Sequence, residues 1–275
     1  MRKENRLLSW LLVLVLLLGW GYVVPSAADS SSSPVIDRIL KKKLLVVGTA
    51  GNMPPLNMTA KDGTVIGLEP DMAQMMAGAM DVELKLKTMP FADLLSALQS
   101  GKVDMVISGM TMTPERNLKV AFVGPYMISG KCFLSKEDEI AATKDPSKIV
   151  NPEITVAALK GSTSQYFVES ALPQAKLITT TDYDEGVKLV LEGKVNAMVA
   201  DFPLCAVSLL RYPNAGLSSL FTRLTYEPLG IALPAGDPLL VNWVDNLMSA
   251  LDGSGRLELL QKRWIEDGWW LKELQ

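Results

Sequence analysis

Short apolar runs of strand length alternate with amphipathic runs of helix length along the chain, and this alternation constrains the fold most. The first part of the chain contains LLVVGT, DMAQMMAGAM, VELKLK, FADLLSALQS and VDMVIS, in that order. After residue 130 the alternation begins again with ITVAAL, SQYFVESAL, AKLITT, YDEGVKLVLEG and VNAMVAD. LGIALP then forms a further strand-like run, and two helical stretches follow, at 238–251 and 255–266. The pattern predicts α/β units with mainly parallel sheets.

Two segments of the chain resemble each other. LQSGKVDMVIS and LEGKVNAMVAD both combine a helix end, Gly-Lys-Val and a buried strand. The first strand leads to Ser108 and the second to Asp201. Because ligands of α/β sheets bind beyond the carboxyl ends of the strands, the repeat predicts two similar lobes with a cleft between them.

The composition excludes several classes of function. The chain has no histidine, which removes Ser-His-Asp and Cys-His catalysis and HExxH zinc sites. The net charge is −3 and no basic stretch is interleaved with aromatics, so binding to nucleic acid or to an anionic membrane surface is not expected. The two cysteines, Cys132 and Cys205, are too few and too far apart for a metal cluster.

The first residues have the pattern of a secretory signal. MRKENR is a basic n-region, LLSWLLVLVLLLGWGYVV is an apolar h-region, and PSAADS offers small residues for cleavage. We predict a signal peptide at 1–28, a tether at 29–34 and a mature protein that works outside the cytoplasm. The alternative is an uncleaved anchor, because residues 7–24 approach the length of a membrane span.

The stretch GKVDMVISGMTMTPER gathers hydroxyls and a guanidinium where a strand leaves the core. One interpretation is a helix start, with Thr113 as N-cap, Pro114 at the first position and Glu115 in the first turn. The other is a ligand site built around Thr111 and Arg116. The local sequence leaves both open.

The wider chain resembles a known family. The pieces LLVVGTAGNMPPLNM, DGTVIGLEPDMA, GKVDMVISGMTMTPER, VAFVGPY, LKGSTSQYF and EGKVNAMVADFP occur in the order seen in bacterial periplasmic amino-acid-binding proteins. These proteins are the extracytoplasmic receptors of polar amino-acid ABC transporters, and the resemblance covers residues 36–270.

The resemblance implies a periplasmic-binding-protein-like type II α/β fold, with two α/β lobes joined by two crossover strands. The first lobe would comprise 35–125 and 230–275, and the second lobe 131–224, with hinges at 126–130 and 225–229. The implied function is a monomeric receptor that captures a free amino acid and delivers it to an ABC permease at the inner membrane. The resemblance implies no cofactor, no metal and no catalytic residue.

The resemblance also assigns the ligand contacts. Arg116 would bind the α-carboxylate, because its planar guanidinium suits a bidentate acceptor, with help from Thr111 and Thr163. Asp201 and the carbonyl of Ser108 would receive the α-ammonium. The alternative is that Asp201 and Thr163 only cap the helices that follow them.

The side-chain pocket departs from the family pattern. Leu56 stands where many members carry an aromatic residue, and no acid is found near Ala50, whereas Phe91 keeps an aromatic. An uncharged, largely apolar side chain is therefore expected, which makes arginine or lysine doubtful ligands. Met53 could instead be packing within its lobe. The full predicted ligand-binding set is Met53, Phe91, Ser108, Met110, Thr111, Arg116, Leu159, Thr163 and Asp201.

A second function on the same fold is a cyclohexadienyl or arogenate dehydratase. In the pattern associated with those enzymes, a glutamate lies three residues after the aspartate that matches Asp201, and here that position is Leu204. The missing general acid disfavours the enzyme. For Cys132 and Cys205 the sequence leaves pairing open, and we expect free buried thiols.

Overall fold

The computed structural model describes residues 33–149, 151–220 and 223–274. The predicted signal peptide at 1–28 lies outside the described residues, as does the tether up to residue 32. Within these three ranges, no helix combines the length and the apolar character needed to span a membrane.

The first sheet contains five strands in the order β5-β1-β6-β13-β7. Their bounds are β1 (Leu44–Thr49), β5 (Glu83–Thr88), β6 (Met105–Val106), β7 (Ala121–Ser129) and β13 (Glu227–Leu233). β1 pairs in parallel with β5 and β6, whereas β13 runs antiparallel to β6 and β7. A three-stranded antiparallel ribbon accompanies this sheet, formed by β2 (Asn52–Met53), β3 (Asn57–Thr59) and β4 (Val65–Ile66).

The second sheet repeats this plan in the order β10-β9-β11-β8-β12. Its strands are β8 (Lys131–Ser135), β9 (Thr155–Leu159), β10 (Lys176–Thr180), β11 (Ala197–Asp201) and β12 (Ser218–Ser219). β9 is parallel to β10 and β11, and β8 is antiparallel to β11 and β12. The two repeated segments end in β6 and β11, the central strands of the two sheets.

Helices lie between the strands as the alternation predicted. They are α1 (Pro34–Lys42), α2 (Leu68–Ala79), α3 (Leu94–Gln99), α4 (Pro114–Asn117), α5 (Asp138–Ala141), α6 (Thr163–Ala171), α7 (Tyr183–Leu191), α8 (Phe202–Arg211), α9 (Pro238–Gly253) and α10 (Arg256–Gln261). Short 3₁₀ helices lie at Phe91–Asp93, Pro146–Ile149 and Trp269–Glu273, and a short π-helix lies at Lys262–Glu266. α9 packs on β7 and α1, and α10 packs on α9 and α2, so the end of the chain covers the first sheet.

The two segments predicted as crossovers pair with each other. Residues 127–129 of β7 form an antiparallel ladder with Glu227, Pro228 and Leu229 of β13. β8 follows after Gly130, where a Cβ would lie 2.5 Å from the carbonyl oxygen of Thr225. Glycine is therefore required where the chain passes between the sheets. The domain boundaries stay a prediction.

The strand periodicity explains how the core is divided. Along β11, Met198 and Ala200 join an apolar cluster that extends through the first sheet. Ala197 and Val199 point to the opposite face, where they join a smaller cluster with Phe133. This alternation of faces is the period of two that a strand buried on both sides requires.

The expectation of free thiols is wrong. Cys132 on β8 and Cys205 on α8 form a disulfide, with Cα atoms 6.7 Å apart and a sequence separation of 73 residues. The sequence could not reveal this, because proximity depends on α8 folding back over β8. The bond ties that helix to the strand that follows the first crossover.

We predict that a Cys132→Ser/Cys205→Ser double variant folds but loses about 2–4 kcal/mol of unfolding free energy, because the disulfide restricts a long loop in the unfolded chain. Urea unfolding measures this loss. As a control, the parent protein treated with reductant should unfold like the variant. Two titratable thiols in the denatured, unreduced parent would contradict the disulfide.

Candidate functional site

The loop after β6 lies against the second crossover segment. The amide of Met112 donates to the carbonyl of Pro228 at 2.8 Å, and the amide of Gly230 donates to the carbonyl of Met110 at 3.0 Å. Thr111 pairs with Leu229 as an isolated bridge. The loop is therefore a short extension of the first sheet, and its position is coupled to the crossover.

A buried carboxylate fixes the start of this loop. Glu69 is fully buried and accepts from the amide of Gly109 at 2.6 Å, from Nδ2 of Asn57 at 2.6 Å and from the hydroxyl of Tyr126. Burial raises the pKa of Glu69 above its ordinary value, and these hydrogen bonds oppose the rise. Gly109 has a φ of +58°, a conformation that favours glycine. Through its bond to Gly109, Glu69 therefore holds the start of the loop in place from within the core.

Both interpretations of the Thr113–Arg116 stretch describe part of the structure. Thr113 caps α4 by accepting from the amide of Arg116 at 3.2 Å, with Pro114 at the first helical position. The Arg116 side chain nevertheless points inward and is only 9% exposed. A helix start and an inward guanidinium are therefore compatible, because the cap uses the backbone of Arg116 and leaves its side chain available.

The guanidinium of Arg116 lies between the two sheets, where the loop that contains Thr111 meets the loop that contains Gly161. We call this junction the seam. Nη1 donates to the carbonyl of Thr111 at 2.8 Å, and Nη2 donates to the carbonyl of Gly161, beyond β9 of the second sheet, at 3.1 Å. The ring of Phe91 lies 5.7 Å from the guanidinium carbon. Burial lowers the pKa of Arg116, and the negative charge of Asp201 counteracts part of that effect. The side chain is buried and bonds to loops of both sheets, so it also contributes to packing.

Two threonine hydroxyls face each other across the same seam. The oxygens of Thr111 and Thr163 are 3.3 Å apart. Thr163 is the first residue of α6, but the helix is capped by Ser162, whose hydroxyl accepts from the amide of Gln165 at 3.2 Å. The alternative that Thr163 caps this helix is therefore wrong, and its hydroxyl faces the seam.

Asp201 stands at the N-terminus of α8 but makes no capping hydrogen bond through its side chain. Its carboxylate instead accepts from Nζ of Lys131 at 2.9 Å, with longer contacts of 3.4 Å to the hydroxyls of Ser129 and Tyr183. Burial, followed by the charge of Asp201, raises the pKa of Tyr183 well above its ordinary value. The capping alternative for Asp201 is therefore wrong as well.

Sequence reasoning missed two charged residues of this cluster. Lys131 is fully buried, and its Nζ lies 2.9 Å from Asp201 and 3.5 Å from Glu227. Burial alone would raise the pKa of Glu227, but the charge of Lys131 and hydrogen bonds from threonines, including Thr111 and Thr163, hold it below its ordinary value. The available signals were a lysine at the start of the apolar run KCFL and an acid within the second crossover.

The apolar positions predicted to contact the ligand are all buried. Met53, Phe91, Met110 and Leu159 are all at most 5% exposed. Met53 packs against its own lobe, since a Cβ on Gly109 would meet the Met53 sulfur. The alternative of lobe packing for Met53 therefore fits the structure, and a ligand contact by the same side chain stays a prediction.

A cavity of about 430 Å³ opens next to Ala50. It is lined by Ala50, Gly51, Asn52, Thr59, Thr88, Met89, Pro90, Thr181, Asp182 and Asp184. Ala50 connects it to the predicted site, because its amide donates to the hydroxyl of Ser108 at 2.8 Å. Asp182 and Asp184 were missed, and they bring acids from the second lobe near Ala50. Asp184 pairs with Arg211 at 2.6 Å, and Asp182 caps α7.

Comparisons with known proteins agree with this arrangement of lobes. The L-cystine-binding protein TcyJ of Escherichia coli strain K12 is 26% identical over 253 residues, which cover 92% of this chain and 93% of that protein. A cyclohexadienyl dehydratase of Pseudomonas aeruginosa is 23% identical over 247 residues, covering 90% and 92%. A crystal structure of a putative ABC transporter binding component from Wolinella succinogenes, complexed with lysine, is 36% identical with a TM-score of 0.78, covering 84% and 99%.

The predicted fold class, a periplasmic-binding-protein-like arrangement of two α/β lobes, is confirmed by these structural matches. The family model of bacterial extracellular solute-binding proteins, family 3, matches residues 45–267, most of the chain. The chain belongs to the bacterial extracellular solute-binding proteins of family 3.

Proposed function

We propose that this protein is a periplasmic, monomeric receptor that captures one free amino acid between its lobes and presents it to an ABC permease at the inner membrane. The observation that carries the proposal is the position of Arg116, a buried guanidinium at the seam of two sheets with hydroxyls from both lobes beside it. Recognition of an α-carboxylate needs this combination of a permanent charge and neutral donors.

Arg116 has donors to spare for the α-carboxylate. Two of its N–H groups are used by the carbonyls of Thr111 and Gly161. A guanidinium carries further N–H donors in the same plane, and these remain for a carboxylate. The hydroxyls of Thr111 and Thr163 can turn from Glu227 to donate to the same group when the ligand binds, and the Phe91 ring limits the orientations of the guanidinium. This arrangement supports the proposed role of all four side chains.

For the α-ammonium we propose Asp201 and the carbonyl of Ser108. Asp201 is 3% exposed, so its charge acts in a region of low dielectric. Its contacts to Ser129 and Tyr183, at 3.4 Å, are long for hydrogen bonds. An ammonium donor on the ligand can therefore compete for this carboxylate.

We propose that the ligand side chain is uncharged and largely apolar. The predicted contacts Met53, Met110 and Leu159 are apolar and buried, and the cavity next to Ala50 provides room. The acids at that cavity already have partners within the protein, Arg211 for Asp184 and the start of α7 for Asp182. One relative is named as a cystine-binding protein, and one similar solved structure contains lysine. The ligand panel described below is therefore the experiment that decides which side chains this protein accepts.

Because a cyclohexadienyl dehydratase is among the relatives, a second candidate function is that of an enzyme that removes water and carbon dioxide from a cyclohexadienyl ring. Leu204 is 1% exposed and supplies no proton at the position where a general acid is expected. We predict that the purified protein does not convert prephenate above the uncatalysed rate, measured by the appearance of the aromatic product. Turnover that is lost in an Arg116→Ala variant would overturn the receptor proposal.

We predict that Arg116→Ala abolishes binding of whichever amino acid stabilises the parent in a thermal-shift panel of the standard amino acids. Removing one member of a buried charge pair typically costs about 2–5 kcal/mol, which takes micromolar binding beyond detection. Arg116→Lys should also bind poorly, because a point charge cannot reproduce a bidentate contact. Calorimetric titration measures both.

The matched control is Arg256→Ala, which removes an exposed arginine at the start of α10 and should bind like the parent. Thermal melts of each variant separate loss of binding from loss of fold. Binding by Arg116→Ala within threefold of the parent would show that the carboxylate is held elsewhere.

We also predict that ligand shifts the protein towards the closed form. The contacts of Arg116 with Gly161 and of Thr111 with Thr163 connect the lobes, and a ligand held by both lobes favours the state in which they meet. Small-angle scattering should give a smaller radius of gyration with the panel's ligand than without it. An equal radius in both samples would contradict ligand-driven closure.

A further inference from the structure

We propose that Lys131 determines the charge preference of the site: as an internal counter-ion to Asp201 and Glu227, it makes the site select amino acids without net charge. This inference rests on the proposed function, because it names the class of ligand that the same site accepts. It assigns a specificity-determining role to a residue that lies outside the predicted ligand-binding set.

Lys131 is held in a fixed position. Its side chain is fully buried, with Nζ 2.9 Å from Oδ1 of Asp201 and 3.5 Å from Oε2 of Glu227. Its backbone amide donates to the hydroxyl of Thr225 at 3.0 Å, and that hydroxyl donates to Oε1 of Glu227 at 2.9 Å. The side chain is therefore held in place beside both carboxylates, away from the protein surface.

The buried charges of the cluster balance. Arg116 and Lys131 are the cations, and Asp201 and Glu227 are the carboxylates, all between 0% and 9% exposed. A further buried carboxylate, Glu69, has both oxygens occupied by donors from its own lobe. A zwitterion adds one positive and one negative charge, so the balance is kept when it binds.

A ligand with a cationic side chain would add a positive charge to this balanced cluster. A buried charge without a partner is costly, and each carboxylate of the cluster already faces Lys131. Without Lys131, the two carboxylates would outnumber the single cation that remains, and a ligand cation would restore the balance. Lys131 therefore disfavours ligands with a cationic side chain, because it already balances the two carboxylates and the added charge finds no excess of negative charge in the cluster.

A purely structural role makes a different prediction. Lys131 also joins the two crossovers, because it follows β7 and contacts Glu227 of β13. If this connection were its only role, its loss would weaken all ligands in the same proportion. The ratio of affinities between cationic and neutral amino acids is the readout that separates the two roles.

The experiment compares Lys131→Gln, Glu227→Gln and the double variant that carries both substitutions. The probes are L-leucine, L-methionine and L-glutamine as neutral ligands, L-arginine and L-lysine as cationic ligands, and L-glutamate. Calorimetric titration gives the affinities, and thermal melts monitor the fold. Lys176→Gln, which removes an exposed lysine on β10, is the matched control.

In the parent and the control, we expect the best neutral probe to bind at least about tenfold more tightly than arginine or lysine. Lys131→Gln should shift the cation-to-neutral ratio by about tenfold or more towards the cations. Glu227→Gln leaves an excess of positive charge and should shift the ratio the other way, with gained affinity for glutamate. The double variant is balanced again and should return to the preference of the parent.

An unchanged ratio in a folded Lys131→Gln variant would overturn the inference. If that variant does not fold, Glu227→Gln and the double variant decide, since a cation preference in either contradicts charge balance. A parent that binds arginine or lysine as tightly as the neutral probes overturns the charge rule and leaves the receptor proposal standing. A parent that binds no amino acid overturns both.

Discussion

The pairing of the two crossover segments, 127–129 and 227–229, is the constraint on which the rest of the structure depends. β7 and β13 run antiparallel through this region, and the loop that carries Thr111 hydrogen-bonds to the same stretch of β13. Lys131 follows the first crossover, and Glu227 lies in the second. The pairing therefore brings both residues beside the end of β11, where Asp201 lies. One ladder of backbone hydrogen bonds therefore positions side chains that are far apart in the sequence.

Burial of charge at this junction requires that each charged group has a partner. A lone carboxylate or ammonium in a region without water would be strongly destabilising, and the structure meets this requirement with two cations and two carboxylates. Glu69 solves the same problem differently, with three hydrogen-bond donors from its own lobe. The two cations and two carboxylates lie at the seam, where we propose that the ligand binds. Glu69 instead holds the loop after β6 from within the core of its own lobe.

Several contacts across the seam are polar, which suits the proposed separation and closure of the two lobes. Arg116 donates to the carbonyl of Gly161, and the hydroxyls of Thr111 and Thr163 approach each other. Such bonds can be exchanged for water or for a ligand at small net cost. The disulfide between Cys132 and Cys205, in contrast, connects two elements of the second sheet's lobe and stabilises that lobe internally.

By itself, the sequence determined the α/β alternation, the strands from LLVVGT to VNAMVAD and the helix start at Thr113, because periodicity and turn chemistry are local properties. It did not determine that Cys132 meets Cys205, nor that Lys131 and Glu227 join Asp201. Lys131 appeared as one lysine in an apolar run, and Glu227 as one acid in a crossover. Only the tertiary structure decided that these residues form one charged cluster. Charge pairing depends on distance in space, and the way in which the two sheets are joined sets that distance.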